Sequence, residues 1–195
     1  TQDLHEDKDW ATASEALERC EEILRRMSGS QLEPENVQLE PVDVGSIVRR
    51  MCESATEADQ TGPEPKIHYS ETGRSNRRAL LPAVAFSHAI LNLIDNARES
   101  TRGEGDIDVV VHSRSERIEV SIMDRGPGWP EVVRKHFGEP FITTKPDGVG
   151  LGLYYVHNLT EAVGAKFTLE DRENGGAEAR ISVPALVPAS DVNLS

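Results

Sequence analysis

The sequence predicts an α+β fold, a two-layer sandwich in which one mixed β-sheet carries helices on one face. Three observations lead to this prediction. Residues 106–123 alternate apolar and polar side chains in two runs joined by a short polar link, which is typical of a hairpin. Residues 165–184 repeat that pattern across "NGG". Segments with helical spacing separate the predicted strands, so helices and strands are expected to form two packed layers.

Composition limits the class of protein. The 195 residues suffice for one ordinary domain and a little more, and 37% hydrophobic with 28% charged residues is typical of a globular chain. The net charge of −13 argues against nucleic acid or an anionic membrane surface as the main partner, although a small anionic ligand stays possible. The longest uncharged run, residues 79–94, is too short for a membrane span. Because the first residue is Thr1, we expect a fragment whose parent can carry a membrane segment upstream.

The first predicted element is one long helix within residues 1–30. Apolar or small residues recur there in steps of three and four, as a narrow heptad seam of Trp10, Ala13, Leu17, Cys20, Leu24 and Met27. The narrowness of the seam favours pairing with a second helix in a dimer, and packing against its own domain is the alternative. A linker-like composition follows, so the predicted divisions are residues 1–30, a domain of residues 31–187 and a tail of residues 188–195.

The domain itself begins with a short strand. The further predicted elements, in order, are a helix from Asp43 to about Ala58, a short strand at residues 66–70, a helix from about Pro82 to Ser100, the hairpin, a loop at residues 125–149, a helix at residues 150–164 and the closing hairpin. A loop of roughly 25 residues without regular structure is usually functional or disordered.

One face of the helix over residues 82–100 is unusually polar. His88, Asn92, Asn96 and Glu99 follow one another in steps of four, four and three, so they share that face. Asparagine is a poor helix former, and two in one helix interior need a reason. A solvated helix face is the simpler interpretation. Amide oxygens that hold a metal–phosphate complex are the alternative, since oxygen ligands suit Mg²⁺.

Two glycine-rich stretches are also suggestive. Gly148, Gly150 and Gly152 open a helix, where free backbone N–H groups can bind an anion, although tight turns use glycine as well. Thr143, Thr144 and Lys145 lie just upstream and could reach a phosphate. The second stretch, "DRGPGW", starts with Asp124 directly after a strand. A turn explains its glycines and proline, but it does not explain the acid.

Four segments in order resemble a known family. "NLIDNA", "DRGPG", "FGEPFITTK" and "GVGLGL" resemble the N, G1, F and G2 boxes of sensor histidine kinases, whose superfamily includes gyrase, MutL and the large heat-shock chaperones. The resemblance covers about residues 38–184. It implies a Bergerat-type ATP-binding fold, and ATP and Mg²⁺ as cofactors.

The resemblance also implies residue roles. Asn96 would coordinate Mg²⁺ on the ATP phosphates with support from Asn92, and Asp124 would accept a hydrogen bond from the adenine amine. The remaining nucleotide-binding positions would lie beneath or within a lid of residues 125–149, and they are Gly126, Gly128, Thr144, Lys145, Gly148, Gly150, Leu151 and Gly152.

Two positions depart from the family pattern. Glu99 stands where many members carry a lysine, which questions the affinity for phosphate. Asn92 stands where the ATPases of the superfamily usually carry a water-activating glutamate, which favours transfer to a protein acceptor over hydrolysis.

The terminal helix resembles the second helix of the kinases' dimerisation hairpin, and its "ERCEEIL" resembles redox-responding kinases of the RegB type. This similarity makes Cys20 a candidate redox residue, while a small apolar packing residue is the alternative. His5 lies too close to the heptad seam to serve as the phospho-acceptor, so we expect the acceptor histidine outside this sequence.

The resemblance therefore implies a protein-histidine kinase domain that transfers the γ-phosphoryl group of ATP to its own dimerisation domain, for relay to a response regulator. It further implies a homodimer through the terminal helix, no nucleic-acid partner, and a place in the cytoplasmic portion of an inner-membrane sensor. A degenerate module that binds nucleotide without phosphoryl transfer is the alternative. An ATPase is disfavoured by Asn92.

Overall fold

The computed structural model describes residues 38–57, 65–74, 77–101, 105–114, 116–145 and 148–186. All of them belong to Gln38–Ser195, one of the two compact units into which the chain divides. The predicted terminal helix with Cys20, and the predicted tail, lie outside the described residues. Within the described ranges, none of the helices has the length and apolar character that a membrane span requires.

The described chain contains seven strands and four helices. In order they are β1 (Glu40–Asp43), α1 (Val44–Glu57), β2 (Ile67–Gly73), β3 (Arg78–Leu81), α2 (Ala83–Thr101), β4 (Ile107–Ser113), β5 (Arg117–Met123), α3 (Glu131–Lys135), α4 (Gly152–Ala162), β6 (Lys166–Asp171) and β7 (Ala177–Pro184). Five strands form one mixed sheet in the order β2-β4-β5-β7-β6, and β1 pairs with β3 separately. In the larger sheet, β2 and β4 are parallel and the other pairs are antiparallel.

Helices cover one face of the larger sheet. Ile118, Val120 and Ile122 of β5 are buried, and the residues between them are partly exposed. The same alternation holds along β4, and α2 contributes fully buried residues such as Ile90 and Ile94 to the core. This arrangement follows from the period-two pattern, which places every second side chain against the helices. The predicted α+β sandwich with helices on one face is confirmed.

Two elements were not predicted. The strand β3 has four residues and leads directly into α2. Its pattern of apolar and polar residues is therefore too short to be distinguished from the start of the helix. The helix α3 is a single turn within the predicted loop, and Val133 is its one buried residue. The strand β2 also runs three residues further than predicted, as far as Gly73. The added residues are exposed, and their register with β4 rather than any hydrophobic pattern defines them as strand.

Helix α1 begins where the sequence predicts. The Ser46 backbone N–H donates to Asp43 Oδ1 at 2.8 Å, which caps the first turn. We expect Asp43→Ala to lower the free energy of unfolding by about 1 kcal/mol, because this N–H then loses its acceptor. Urea denaturation of the chain measures the change. Asp43→Asn keeps a side-chain oxygen and should lie close to the wild type, and equal losses in both variants would contradict the capping role.

Candidate functional site

The polar face of α2 forms the floor of the candidate site. Asn92 and Asn96 are partly buried, and they lie between fully buried core positions such as Leu93 and Ile94. The helix is anchored by these apolar neighbours, so the two amides are held at fixed positions along it. His88, predicted to share the face, is exposed one turn earlier.

The start of α4 lies against this floor. A β-carbon placed on Gly152 would lie 3.5 Å from the Asn92 side-chain oxygen and 3.9 Å from the Asn96 amide nitrogen. Leu151 is the residue before the first turn, and no described side chain caps the helix there. The backbone N–H groups of the first turn therefore remain available to an anion beside the two asparagines.

A lysine of the loop before α4 contacts the same floor. Lys145 Nζ donates to Asn96 Oδ1 at 2.8 Å and also forms an ion pair with Glu99. Thr144 beside it is exposed. Glu99 therefore faces a lysine from another segment, and no pattern in the sequence indicates this pairing.

Close backbone contacts hold this loop in place. Gly150 has φ +73°, and a β-carbon on it would lie 2.6 Å from the carbonyl carbon of Phe141. The Phe141 N–H donates to the Gly150 carbonyl at 3.1 Å, which ties the two ends of the loop together. A β-carbon on Gly148 would lie 2.6 Å from Thr143 Oγ1. These two positions therefore need glycine for close packing as well as for any contact with a ligand.

Asp124 lies at the end of β5 and is only 4% exposed. Its Oδ1 accepts the N–H of Gly126 at 2.7 Å and that of Ala177 at 3.1 Å. Burial raises the pKa of Asp124, and the hydrogen bonds from Gly126, Ala177 and Ser100, together with the charge of Arg172, oppose that rise. A buried carboxylate whose direction is fixed by backbone donors suits the recognition of a ligand N–H group.

The Asp124 loop packs against the end of α2. A β-carbon on Gly126 would lie 2.1 Å from the Ser100 hydroxyl oxygen, so the loop and the helix touch at this point. Ser100 lies four residues after Asn96, about 6 Å along the helix axis. One helix therefore connects the carboxylate to the polar floor. Gly128, with φ +89°, faces Asp171 at the end of β6 instead.

Asp124 is also supported by the turn between β6 and β7, and this support was not predicted from the sequence. The turn between β6 and β7 approaches it closely: a β-carbon on Gly176 would lie 2.1 Å from the Asp124 carbonyl oxygen. Arg172 Nη1 donates to that same oxygen at 2.9 Å. The signal in the sequence was the second glycine of "NGG", which a two-residue hairpin turn alone does not explain.

Comparison with known proteins identifies the family. The family model described as "Histidine kinase-, DNA gyrase B-, and HSP90-like ATPase" matches residues 82–187, more than half of the chain. The matched range contains all four motifs and every described site residue named above.

Several individual relatives match part of the chain. Sporulation kinase A of Bacillus subtilis is 36% identical over 99 residues, which are 51% of this chain and 16% of the relative. Nitrogen regulation protein NtrY of Azorhizobium caulinodans is 34% identical over 113 residues, 54% of this chain and 15% of the relative. Sensor histidine kinase RegB of Cereibacter sphaeroides is 27% identical over 79% of this chain and 35% of its own length. The chain thus spans about one sixth of the first two relatives.

Solved structures agree with the fold. The catalytic domain of histidine kinase ThkA has a TM-score of 0.65 at 26% identity, over 75% of this chain and 95% of that domain. Full-length ShkA in complex with AMPPNP has a TM-score of 0.66 at 26% identity, over 78% of this chain and 32% of its own. The predicted resemblance to sensor histidine kinases is confirmed, and the chain belongs to the histidine kinase-, DNA gyrase B- and HSP90-like ATPase family.

Proposed function

We propose that this chain binds ATP with Mg²⁺ at the α2–α4 site and transfers the γ-phosphoryl group to a histidine on a dimerisation domain. The observation that carries the proposal is the convergence of three features. The amides of Asn92 and Asn96, the uncapped start of α4 and the Lys145 ammonium meet at one place. The phosphates of a nucleotide need this combination of backbone N–H groups, a cation and oxygen ligands for a metal.

Asp124 is proposed to recognise the base. Its buried carboxylate lies at the far end of α2, where it would accept a hydrogen bond from the exocyclic amine of adenine. Guanine presents a carbonyl oxygen at that position and would leave the buried carboxylate without a donor. Gly126 and Gly128 would allow the backbone to approach the base. Gly148, Gly150, Leu151 and Gly152, with Thr144, would surround the phosphates.

Mg²⁺ fits the residues that are present. Asn96 Oδ1 already accepts a cationic donor, the Lys145 ammonium, so this oxygen is suitably placed for a positive charge. The described residues contain no group of three or more histidine, cysteine, aspartate or glutamate side chains that could hold a metal by themselves. Mg²⁺ commonly takes one or two protein oxygens and completes its shell with phosphates and water. When bound, the ion would neutralise charge on the phosphates, and Asn96 with the support of Asn92 would hold it.

The chain's own contribution to transfer would be positioning. Backbone N–H groups at the start of α4 would orient the phosphate oxygens, and Asp124 would fix the base at the other end of the nucleotide. Asn92 offers no carboxylate to activate water, so the site favours a protein acceptor over hydrolysis.

The parent protein is proposed to be a homodimeric sensor. Residues 1–30 would supply the second helix of the dimerisation hairpin, residues 31–187 the catalytic domain and residues 188–195 a tail. Its phosphohistidine would pass the phosphoryl group to a response regulator. The chain would form the cytoplasmic portion of an inner-membrane sensor, and Cys20 on the helix seam would be a candidate redox residue.

Transfer can be measured directly. The chain is incubated with γ-labelled ATP, Mg²⁺ and a dimerisation domain that carries the acceptor histidine. We expect acid-labile label on that histidine, and we expect Asn96→Ala to lower the rate at least about 100-fold, because electrostatic stabilisation of the phosphoryl group is lost. Asn158→Ala, further along α4, is the matched control and should transfer normally. Release of free phosphate without labelling of the histidine would indicate an ATPase, and nucleotide binding with neither result would indicate a degenerate module; both contradict the proposal.

A further inference from the structure

The ion pair between Lys145 and Glu99 joins the loop before α4 to the floor of the site. We propose that Glu99 is a positioning residue. It holds the Lys145 ammonium on Asn96 Oδ1 in the nucleotide-free chain, so that the loop is fastened over the polar face of α2 until Mg²⁺ and nucleotide displace the ammonium. The displacement of the ammonium by Mg²⁺ and nucleotide rests on the proposed function. The fastening, which is the contact of Lys145 with Glu99 and Asn96 in the nucleotide-free chain, does not.

The backbone directs Lys145 toward α2. Its N–H donates to Thr143 Oγ1 at 3.1 Å, and its carbonyl accepts the Gly148 N–H at 3.2 Å. A β-carbon on Gly148 would lie 2.9 Å from the Lys145 β-carbon, so Gly148 comes close to the lysine. This local geometry fixes where the lysine side chain begins, and only its far end remains to be placed.

Glu99 determines where that far end goes. The lysine contacts two groups on one turn of α2, the carboxylate of Glu99 and the amide oxygen of Asn96. The neighbouring Asp95 pairs with Arg98 at 3.6 Å. The charge of Lys145 also opposes the rise that burial causes in the pKa of Asp95, but the ion pair of the lysine is with Glu99. The Lys145 and Glu99 side chains are 42% and 57% exposed. Water therefore weakens the ion pair, and a ligand that binds the lysine more tightly can break it at little cost in free energy.

The position of the ammonium has a consequence for the metal. Asn96 Oδ1 is the atom proposed to bind Mg²⁺, and Lys145 Nζ lies 2.8 Å from it. The ammonium and the metal cannot share this oxygen at bonding distance, because two cations would then repel each other closely. Lys145 must leave when the metal arrives, and the phosphates beside it offer a new partner. Through Glu99, the positive charge at this part of the floor is therefore supplied by the loop.

Amide hydrogen exchange in the nucleotide-free chain tests the fastening. The N–H groups of Phe141 and Gly148 report on the loop because both are bonded within it. We expect Glu99→Gln to raise their exchange rates roughly two- to fivefold, the range for loss of an exposed ion pair. Asp95→Asn removes a carboxylate four residues earlier on α2 and is the matched control, with a clearly smaller change expected because Asp95 forms no ion pair with Lys145 among the described contacts. Unchanged rates in Glu99→Gln, or an equal rise in Asp95→Asn, would overturn the proposal.

A charge exchange separates pairing from a general structural effect. Glu99→Lys and Lys145→Glu should each raise the loop exchange rates, and the double variant should restore protection, since the pair forms again in reverse and the Asn96 amide can donate as well as accept. Additive loss in the double variant would contradict the positioning role.

Displacement is tested by the effect of Mg²⁺ on ADP affinity. The ratio of the dissociation constants without and with Mg²⁺ should rise severalfold in Lys145→Met, because the metal no longer has to displace an ammonium from Asn96 Oδ1. An unchanged ratio would overturn displacement. The two proposals fail in distinguishable ways, because a chain that never binds ADP would contradict the proposed function while its exchange rates still test the fastening.

Discussion

Asp124→Asn is expected to weaken binding of ADP with Mg²⁺ about 10- to 100-fold. A hydrogen bond to a charged group contributes about 1.5–3 kcal/mol, and each 1.4 kcal/mol corresponds to a factor of ten in affinity. The loss should be near the upper end, because the carboxylate is only 4% exposed and water cannot replace the adenine amine well. Isothermal titration calorimetry with wild type and variant measures the difference.

The fold should survive this substitution. The asparagine oxygen can still accept the N–H groups of Gly126 and Ala177, which hold Asp124 Oδ1 in the wild type. Burial raises the pKa of Asp124 above its ordinary value of 3.8, so the folded chain retains this proton to a higher pH than the unfolded chain does. Ionisation of Asp124 therefore lowers stability progressively as the pH rises above about 3.8, the unfolded-state pKa, and the loss is complete once the pH exceeds the raised folded-state pKa.

The raised pKa of Asp124 also predicts the direction in which the stability of Asp124→Asn differs from that of the wild type. Urea denaturation at pH 7 should show Asp124→Asn at least as stable as the wild type, and any advantage should shrink as the pH falls toward 3.8. Glu119→Gln neutralises a partly exposed acid on β5, the strand that leads to Asp124, and it should leave ADP affinity unchanged. An unaltered ADP affinity in Asp124→Asn would contradict the recognition role of Asp124 and would indicate that "DRGPGW" only forms a turn.

Gly176→Ala is expected to have the largest effect on stability, a loss of about 2–6 kcal/mol. Its φ of +99° is unfavourable for alanine, and the added methyl would lie 2.1 Å from the Asp124 carbonyl oxygen. Strain in the backbone and a forced shift of β5 or its turn both contribute, at about 1–3 kcal/mol each. Because the shift moves Asp124, ADP affinity should fall as well.

The preceding glycine provides a matched control. Gly175 also has a positive φ, +84°, but a β-carbon there would meet nothing within 4 Å. Gly175→Ala should therefore show the conformational penalty alone, about 1 kcal/mol, with ADP affinity retained. Urea denaturation of both variants separates the two contributions. Similar losses of stability at the two positions would contradict the contact between Gly176 and Asp124.

The predictable parts of the fold are those with a local periodic signal. The strands β4 and β5 follow a period of two, which their burial repeats strictly, and α2 combines an apolar face with a polar one, so their positions follow from spacing. The strand β3 and the helix α3 have four and five residues, too few for a period to be recognised. Their structure depends on pairing with β1 and on one buried valine, which are tertiary effects.

The candidate site shows the same division. Asp124 is recognisable in the sequence because a turn does not need an acid, and the asparagines are recognisable because a helix interior disfavours them. The contact of Lys145 with Asn96 spans 49 residues, and that of Ala177 with Asp124 spans 53. No local pattern encodes such distances, so the partner of Glu99 and the support by Gly176 were not foreseen. The dimer seam with Cys20 stays a prediction, since it lies outside the described residues.

The central claim is that this chain contains an adenine-specific nucleotide site, and calorimetric titration of the wild-type chain with ADP and with GDP, both in Mg²⁺, tests it most directly. We expect one ADP per chain and GDP binding at least about tenfold weaker, because guanine offers Asp124 no amine at the recognised position. Equal affinity for the two nucleotides, or no detectable heat with ADP, would contradict the claim.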